Sequence, residues 1–439
     1  MKKKTKAILW SVLICLTLSA AGWFGWTWYD NNVDRSGWRE KNGVTMYADF
    51  HGKPVTGWLD IDGSRYYFAE DHALQTGWLT QNGGTYYLGT DGRMHKRWLD
   101  MEEGRRYFES DGRMVFGWQE IDGKDYHFDE QGLMDTGWLQ DGGNTFYLEE
   151  TGTPVYGWQE IEEDSYYFTE SGTLHSGWLE TEEGTYYLAE DGPMATGWQE
   201  IDENRYYFGD SGRMHTGWLE QGEYRYYLHS DGTAAVGPAD IDGETFYFSP
   251  KGIWVLLVNP WHPLDADYET DLVEIEDGWL VDRQAYEPLK AMLEAMRGQD
   301  LYPYFSSTYR NEGDQRRIWD QYVTRYMDAG YDEAQANALT ASYVAVPGTS
   351  EHHTGLAMDI VGHEYYYSGK PGSSKAVQDW LAEHCWEYGF ILRYTQEKQS
   401  ITGYAPEAWH FRYVGTEVSM DMKDSGLCLE EYLGADKNR

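Results

Sequence analysis

Ten tryptophans recur at a spacing of 20 residues with no slippage, at Trp38, Trp58, Trp78, Trp98, Trp118, Trp138, Trp158, Trp178, Trp198 and Trp218. Nine of them follow a glycine, and Arg97 replaces it once. A register held this strictly marks a repeat array, in which each unit is too small to fold alone and must stack on its neighbours. One unit runs from Gly57-Trp58-Leu59 through Asp62-Gly63 to Tyr66-Tyr67-Phe68. It holds two short apolar runs separated by a turn signal. Asp62-Gly63, Asp122-Gly123 and Asp242-Gly243 suit two-residue hairpin turns. Asp91-Gly92, Asp111-Gly112, Asp191-Gly192 and Asp231-Gly232 supply the turn to the next unit. A lone hairpin is marginal in water, so the spacing predicts an all-β hairpin-repeat solenoid over residues 36–254. Gly237 keeps the register where Pro238 replaces the expected tryptophan, and the array ends near Trp254.

Two further segments flank the array in this chain of 439 residues. Lys2, Lys3, Lys4 and Lys6 precede an uncharged run from Ala7 to Tyr29, long enough to span a bilayer core. The lysines predict a cytoplasmic N-terminus and an exported remainder. Trp23, Phe24, Trp26, Trp28 and Tyr29 form an aromatic cluster of membrane-interface type. Residues 1–30 are therefore expected to form a transmembrane helix that anchors the chain. A signal peptide cleaved near Ser19-Ala20-Ala21 is the competing reading.

The formal net charge of −39 would repel a polyanion, so no nucleic-acid partner is expected. Aromatic residues make up 16% of the chain. Their flat faces suit sugar rings or quaternary amines. Cys385 and Cys428, the two cysteines outside the apolar segment, could pair, but free buried thiols are the simpler expectation.

Beyond Val255 the 20-residue period stops. Arg283–Arg297 places Leu289, Met292, Leu293 and Met296 on one helical face. Residues 301–309 read as a strand, 311–344 as mostly helical with a break at Gly330, and 375–388 as another helix. Phe390–Tyr394 and Trp409–Val414 read as strands. An α+β domain over 255–433 follows.

Two segments of this domain carry chemistry: Ser350-Glu351-His352-His353-Thr354-Gly355-Leu356-Ala357-Met358-Asp359 and Glu407-Ala408-Trp409-His410-Phe411-Arg412-Tyr413. A catalytic zinc takes three N or O ligands and leaves a position for water. His352, Asp359 and His410 supply two imidazoles and a carboxylate. Glu407, just before the last of them, is placed to act as general base on zinc-bound water. Taken singly, the same residues would also suit surface imidazoles and a capping carboxylate.

The array resembles the cell-wall-binding repeats of Gram-positive surface proteins, a group that includes choline-binding and glucan-binding repeats. The Gly-Trp pairs, the Tyr-Tyr-Phe or Tyr-Tyr-Leu triplets and the Asp-Gly turns carry the likeness. It implies wall polysaccharide or teichoic acid as the bound polymer, with Trp58, Trp78, Trp118, Trp138, Trp158, Trp178, Trp198 and Trp218 as contact candidates. Choline-binding repeats usually carry a further aromatic before the Tyr-Tyr pair. Here that place holds Arg65, Thr85, Arg105 or Arg106, Thr185, Arg205 and Arg225, which favours a glycan over choline.

Ser-x-His-x-x-Gly-x-Ala-x-Asp followed by Glu-x-x-His resembles the VanY-type D-alanyl-D-alanine carboxypeptidases, zinc peptidases of bacterial cell walls. Residues 257–264, Tyr309-Arg310 with Gln315, residues 389–394 and Thr402-Gly403-Tyr404 extend the likeness. It implies a Zn2+ ion on His352, Asp359 and His410, with Glu407 as base. Arg310 would meet the substrate carbonyl and developing oxyanion. Ser350, Gln315 and Trp409 are the substrate-binding candidates. The family usually reads Glu-Pro-Trp-His; here Ala408 takes the proline place and Pro406 precedes Glu407.

The expectation is a membrane-anchored, extracellular wall enzyme that trims the terminal D-alanine from peptidoglycan stem peptides. An endopeptidase of the same metal chemistry and a non-catalytic adhesin are the rival readings.

Overall fold

The computed structural model describes residues 34–362 and 375–435. The chain divides into two compact units. One comprises Met1–Gly177 with Leu188–Met194, the other Trp178–Tyr187 with Ala195–Arg439.

In the first unit the 20-residue period becomes one two-stranded antiparallel hairpin per repeat, such as Gly57–Ile61 with Ser64–Phe68 and Gly137–Asp141 with Asn144–Leu148. Asp62 and Gly63 both hold positive φ, at 50° and 78°. That is the geometry of a hairpin turn whose twist matches the flanking strands. Successive hairpins are bonded by regular rungs. The Leu74 amide donates to the Thr45 carbonyl, Met94 to Arg65 and Met114 to Thr85, each at 2.8 Å. Pro154 has no amide to offer at the corresponding place. The buried spine is the last residue of each second strand. Phe68, Leu88, Phe108, Phe128, Leu148 and Phe168 are all at or below 1% exposure. The tryptophans lie outside this spine. Trp138 stands edge-on to Tyr147 of its own hairpin and to Tyr166 of the next, at centroid distances of 5.1 and 5.0 Å, a favoured arrangement for aromatic pairs.

In the second unit the hairpins lead into the α+β domain. Its sheet has four antiparallel strands in the order Pro303–Ser307, Ala357–Gly362, Glu407–Tyr413, Phe390–Tyr394. Helix Arg283–Arg297 is capped by the Asp282 side chain. It buries Leu289, Met292, Leu293 and Met296 against Phe305, Met358, Ile360 and Phe411 of the sheet. The long helical stretch is broken as expected at Gly330. It gives Glu312–Asp328, capped by Asn311, and Glu333–Ala341, closed by an Asp332/Gln335 capping box. The expected 375–388 helix ends at His384 and tightens into a 3-10 turn, Cys385–Tyr388. Cys385 and Cys428 are both free and buried.

A second core in this unit joins repeat hairpins to the domain. Leu219, Tyr226, Leu228 and Tyr247 pack with Ile391, Val418, Met422, Leu429 and Leu433. Tyr413 donates its hydroxyl proton to Glu223 at 3.1 Å, and the Glu417 amide donates to the Tyr224 hydroxyl at 3.2 Å.

The expected transmembrane helix requires correction. Its residues, 1–30, lie outside the described residues. Among the described residues no helix is long and apolar enough to cross a membrane. Even the longest, Glu312–Asp328, has only 17 residues, and Glu312, Asp314, Arg316, Arg317, Asp320, Arg325 and Asp328 load it with charge. The fold class is a hairpin-repeat β region followed by an α+β domain, and membrane anchoring has no structural support.

The packing has two measurable consequences. At Gly92, with φ at 79°, an added Cβ would meet Leu74 Cδ2 at 2.6 Å. Gly92→Ala should therefore cost about 1–3 kcal/mol in denaturant unfolding followed by tryptophan fluorescence; an unchanged midpoint would contradict this packing. A chain starting at Val255 uncovers the second core, so it should be less stable than one starting at Ala195 by on the order of several kcal/mol. Equal melting temperatures for the two would show that the hairpins add nothing to the domain.

Candidate metal centre

Three elements converge on one point. His352 sits in the 3-10 turn Glu351–Thr354, which ends at Gly355 in a left-handed conformation at φ 70°. A side chain at Gly355 would meet the Asp282 amide at 2.8 Å. Only glycine, which has no Cβ and accepts this φ, lets the turn close here. Asp359 and His410 are directly opposite each other on neighbouring strands. Opposed residues project to the same face of a sheet, so register alone brings them together. Asp359 Oδ1 lies 3.1 Å from His410 Nδ1, and Asp359 Oδ2 lies 3.4 Å from His352 Nε2. The two imidazoles are perpendicular, with centroids 4.9 Å apart. One ligand atom from each of the three residues falls within 4.8 Å of the others. Two imidazole nitrogens and one carboxylate at this spacing fit a zinc ion with an open position.

Each imidazole is fixed by its other nitrogen. His352 Nδ1 donates to the Thr308 carbonyl at 2.7 Å. His410 Nε2 lies 3.0 Å from Glu351 Oε2. His352 thus presents Nε2 and His410 presents Nδ1, an outer-partner arrangement that orients metal-binding histidines.

Glu351 is fully buried, and its other oxygen accepts from Arg393 Nε at 2.9 Å and Arg412 Nη1 at 3.2 Å. Arg393 also forks onto Glu430 at 2.9 and 2.5 Å, and Asn259 donates to the same carboxylate at 3.0 Å. Burial would raise the Glu351 pKa, but Arg393, Arg412 and His410 outweigh it and hold the group well below the usual carboxylate range. Burial alone would lower His410; its hydrogen bonds to Asp359 and Glu351 prevail and raise it to about 9. Burial and the nearby Arg310 push His352 down to about 4. Burial would likewise raise Asp359, yet the two imidazoles keep it ionised far below its ordinary range.

Glu407 opens the His410 strand, its Oε2 3.7 Å from His410 Nδ1. Its backbone is held by pairing with Tyr394, so the alanine in the family's proline place leaves it anchored by the sheet. Burial pushes its carboxyl up to about 7, against the lowering influence of His410 and Arg310. These groups line a cavity of about 420 Å³. Arg310, Gln315, Ser350 and Trp409 line it too. Arg310 Nε is buried there without a hydrogen-bond partner among the described residues. Gln315 is tied through Nε2 to the Ala345 carbonyl at 2.7 Å. Ile318, Tyr322 and Tyr326, four residues apart on one face of helix Glu312–Asp328, form a further wall.

His353 lies beside His352 in the same 3-10 turn. Its Nδ1 meets the Arg310 carbonyl at 2.6 Å and its Nε2 accepts from the Gly348 amide at 3.2 Å, so it braces the Arg310 backbone. Sequence reasoning passed over Glu351, Arg393 and Arg412. The available signal was a charged residue at an inward position in each of the strands Phe390–Tyr394 and Glu407–Tyr413.

A two-imidazole, one-carboxylate cluster with an adjacent raised-pKa carboxyl, set on a small antiparallel sheet, defines the class of metallopeptidase domains. Residues 279–416 match the family model for D-alanyl-D-alanine carboxypeptidase, and residues 55–98, 115–153 and 195–237 match the choline-binding repeat. A D-alanyl-D-alanine carboxypeptidase of Enterococcus faecalis (strain ATCC 700802 / V583) is 40% identical over 183 residues, which cover 42% of this chain and 66% of that one. YodJ of Bacillus subtilis (strain 168), named as a carboxypeptidase, is 34% identical over 195 residues, covering 42% of this chain and 68% of that one. Among solved structures, VanYB in complex with D-alanine-D-alanine is 40% identical, with 41% and 97% coverage and a TM-score of 0.38. CbpJ of Streptococcus pneumoniae is 24% identical, with 57% and 98% coverage and a TM-score of 0.43. The chain belongs to the D-alanyl-D-alanine carboxypeptidase family, whose members are zinc metallopeptidases, and carries choline-binding-type repeats ahead of that domain. Repeats of this type are a mark of extracellular or wall association.

Glu351→Gln keeps the shape of the side chain and removes the charge that orients His410. It should weaken zinc binding by about 10–100-fold in chelator competition; unaltered affinity would mean that Glu351 serves packing alone.

Proposed function

We propose that residues 255–433 form a zinc D,D-carboxypeptidase that removes the terminal D-alanine from peptidoglycan stem peptides, while the repeats of residues 36–254 hold the enzyme on wall polymer. The observation that carries this reading is the company Glu407 keeps. A carboxyl raised to about 7 stands 3.7 Å from His410, in a cavity that also holds the Arg310 Nε, unpartnered among the described residues.

In this reading His352 Nε2, Asp359 and His410 Nδ1 hold the zinc. When bound, zinc supplies Lewis acidity and makes water acidic enough to lose a proton near neutral pH. Glu407 takes the proton from the attacking water and delivers it to the departing D-alanine amine, work for which a pKa near the operating pH is best suited. Arg310 offers its Nε to the scissile carbonyl and to the negative charge that develops there. A fixed guanidinium stabilises that charge more than it does the ground state. Ser350, Gln315 and Trp409 border the bound peptide. Wall polysaccharide or teichoic acid held by the tryptophan-bearing repeats keeps an insoluble substrate at high local concentration.

Glu407→Gln should retain stoichiometric zinc by elemental analysis and lose on the order of 10²-fold or more in D-alanine release. Turnover at the unmodified rate would remove Glu407 as the base. His352→Ala should lose the metal; full zinc content in that variant would contradict the ligand assignment.

A further inference from the structure

The repeats are not equivalent on the ring face of their tryptophans. In four of them an arginine stands two residues after the hairpin turn, and its guanidinium lies over the tryptophan of the same hairpin. Arg65 Cζ is 5.2 Å from the Trp58 ring centroid, Arg105 4.1 Å from Trp98, Arg205 4.4 Å from Trp198 and Arg225 4.6 Å from Trp218. Arg106 reaches Trp78 of the preceding repeat at 5.1 Å. All lie within the roughly 6 Å at which a cation is held by a π face. Three of these guanidiniums are also turned towards a carboxylate across the hairpin: Arg65 to Asp60 at 3.9 Å, Arg105 to Asp100 at 3.1 Å and Arg225 to Glu220 at 3.6 Å.

Other hairpins carry threonine at the same place. Thr45 stands in the Trp38 hairpin and Thr145 in the Trp138 hairpin, and these two tryptophans are 43% and 45% exposed. Among the described residues no guanidinium lies over Trp138. Its indole is flanked by Tyr147 and Tyr166, and that of Trp38 by Tyr47 and Tyr66 at 5.3 and 5.0 Å, so each leaves an aromatic recess facing solvent.

We propose that Arg65, Arg105, Arg205 and Arg225 are built-in cations that close the ring faces of Trp58, Trp98, Trp198 and Trp218. External quaternary ammonium is thereby confined to repeats whose tryptophan carries no such guanidinium, that of Trp138 foremost; Trp78, although its hairpin carries Thr85, is closed by Arg106. The inference rests on the wall-binding reading of the repeats and names which of them are open. One ring face holds one cation. A second positive group entering beside the guanidinium would meet both its volume and its charge. The acidic chain attracts cations at long range, with 74 acidic against 35 basic side chains, so local occupancy rather than overall charge decides which repeat binds.

The test is calorimetric titration of the full chain with choline chloride. Arg105→Thr should raise the stoichiometry by about one site per chain and Thr145→Arg should lower it by about one, both with unchanged far-UV circular dichroism. Arg65→Thr repeats the gain at a second cap. Unchanged stoichiometry in the arginine variants, or in Thr145→Arg, overturns the proposal. So does absence of choline heat in every variant. Sedimentation of the same protein with purified walls separates the two levels: wall retention without choline binding sinks the capping alone, whereas a fully soluble protein sinks the wall-binding reading itself.

Discussion

The site depends on one buried carboxylate. Glu351 lies between Arg393, Arg412 and His410, and every one of these side chains is cut off from water. A charge in that position is tolerable only when paired and hydrogen-bonded. Glu430 supplies the second negative charge, so two arginines face two glutamates. The network joins the His352 turn, the two sheet strands and the C-terminal helix Leu429–Tyr432, and Asn259 ties in the start of the domain. Breaking it would leave buried charge uncompensated, so its geometry is held firmly. That firmness reaches the centre through the imidazole of His410, whose Nδ1 is aimed at Asp359 by the bond that Nε2 makes to Glu351.

The repeats are stabilised differently. Their stability lies in the buried Phe/Leu spine and in the backbone rungs between hairpins. The tryptophans contribute edge-on contacts, and Trp38, Trp78, Trp138 and Trp178 stay exposed to solvent while doing so. Separating spine from surface leaves the tryptophan face free to vary in function, because arginine and threonine can exchange at one strand position without touching the core. In the second unit the last hairpins also help to cover the peptidase domain, so the same module serves both as repeat and as packing partner.

Much of this was legible in sequence. The fixed tryptophan interval foretold the hairpins, since a period of 20 with Asp-Gly turns permits little else. The paired motif strings selected His352, Asp359, Glu407 and His410, which the fold brings to one cavity. Helix Arg283–Arg297 was readable from its apolar face. Glu351 was not, because its role arises from partners 42 to 61 residues away, in strands whose pairing no local pattern reveals. The 3-10 turn that carries His352 and His353 was not legible either, because Gly355 closes a turn that the local pattern does not announce. The N-terminal apolar run suggested a membrane helix from composition alone, and the described helices offer nothing of that kind.

The central claim is that the His352, Asp359, His410 and Glu407 cluster is a zinc centre that releases D-alanine. Its most direct test is mass spectrometry of a stem pentapeptide ending in D-alanyl-D-alanine after incubation with the full chain, with and without a metal chelator. Loss of a single alanine, abolished by the chelator and restored by zinc, is the predicted result. An intact pentapeptide in the zinc-loaded reaction, or cleavage that the chelator does not touch, would contradict it.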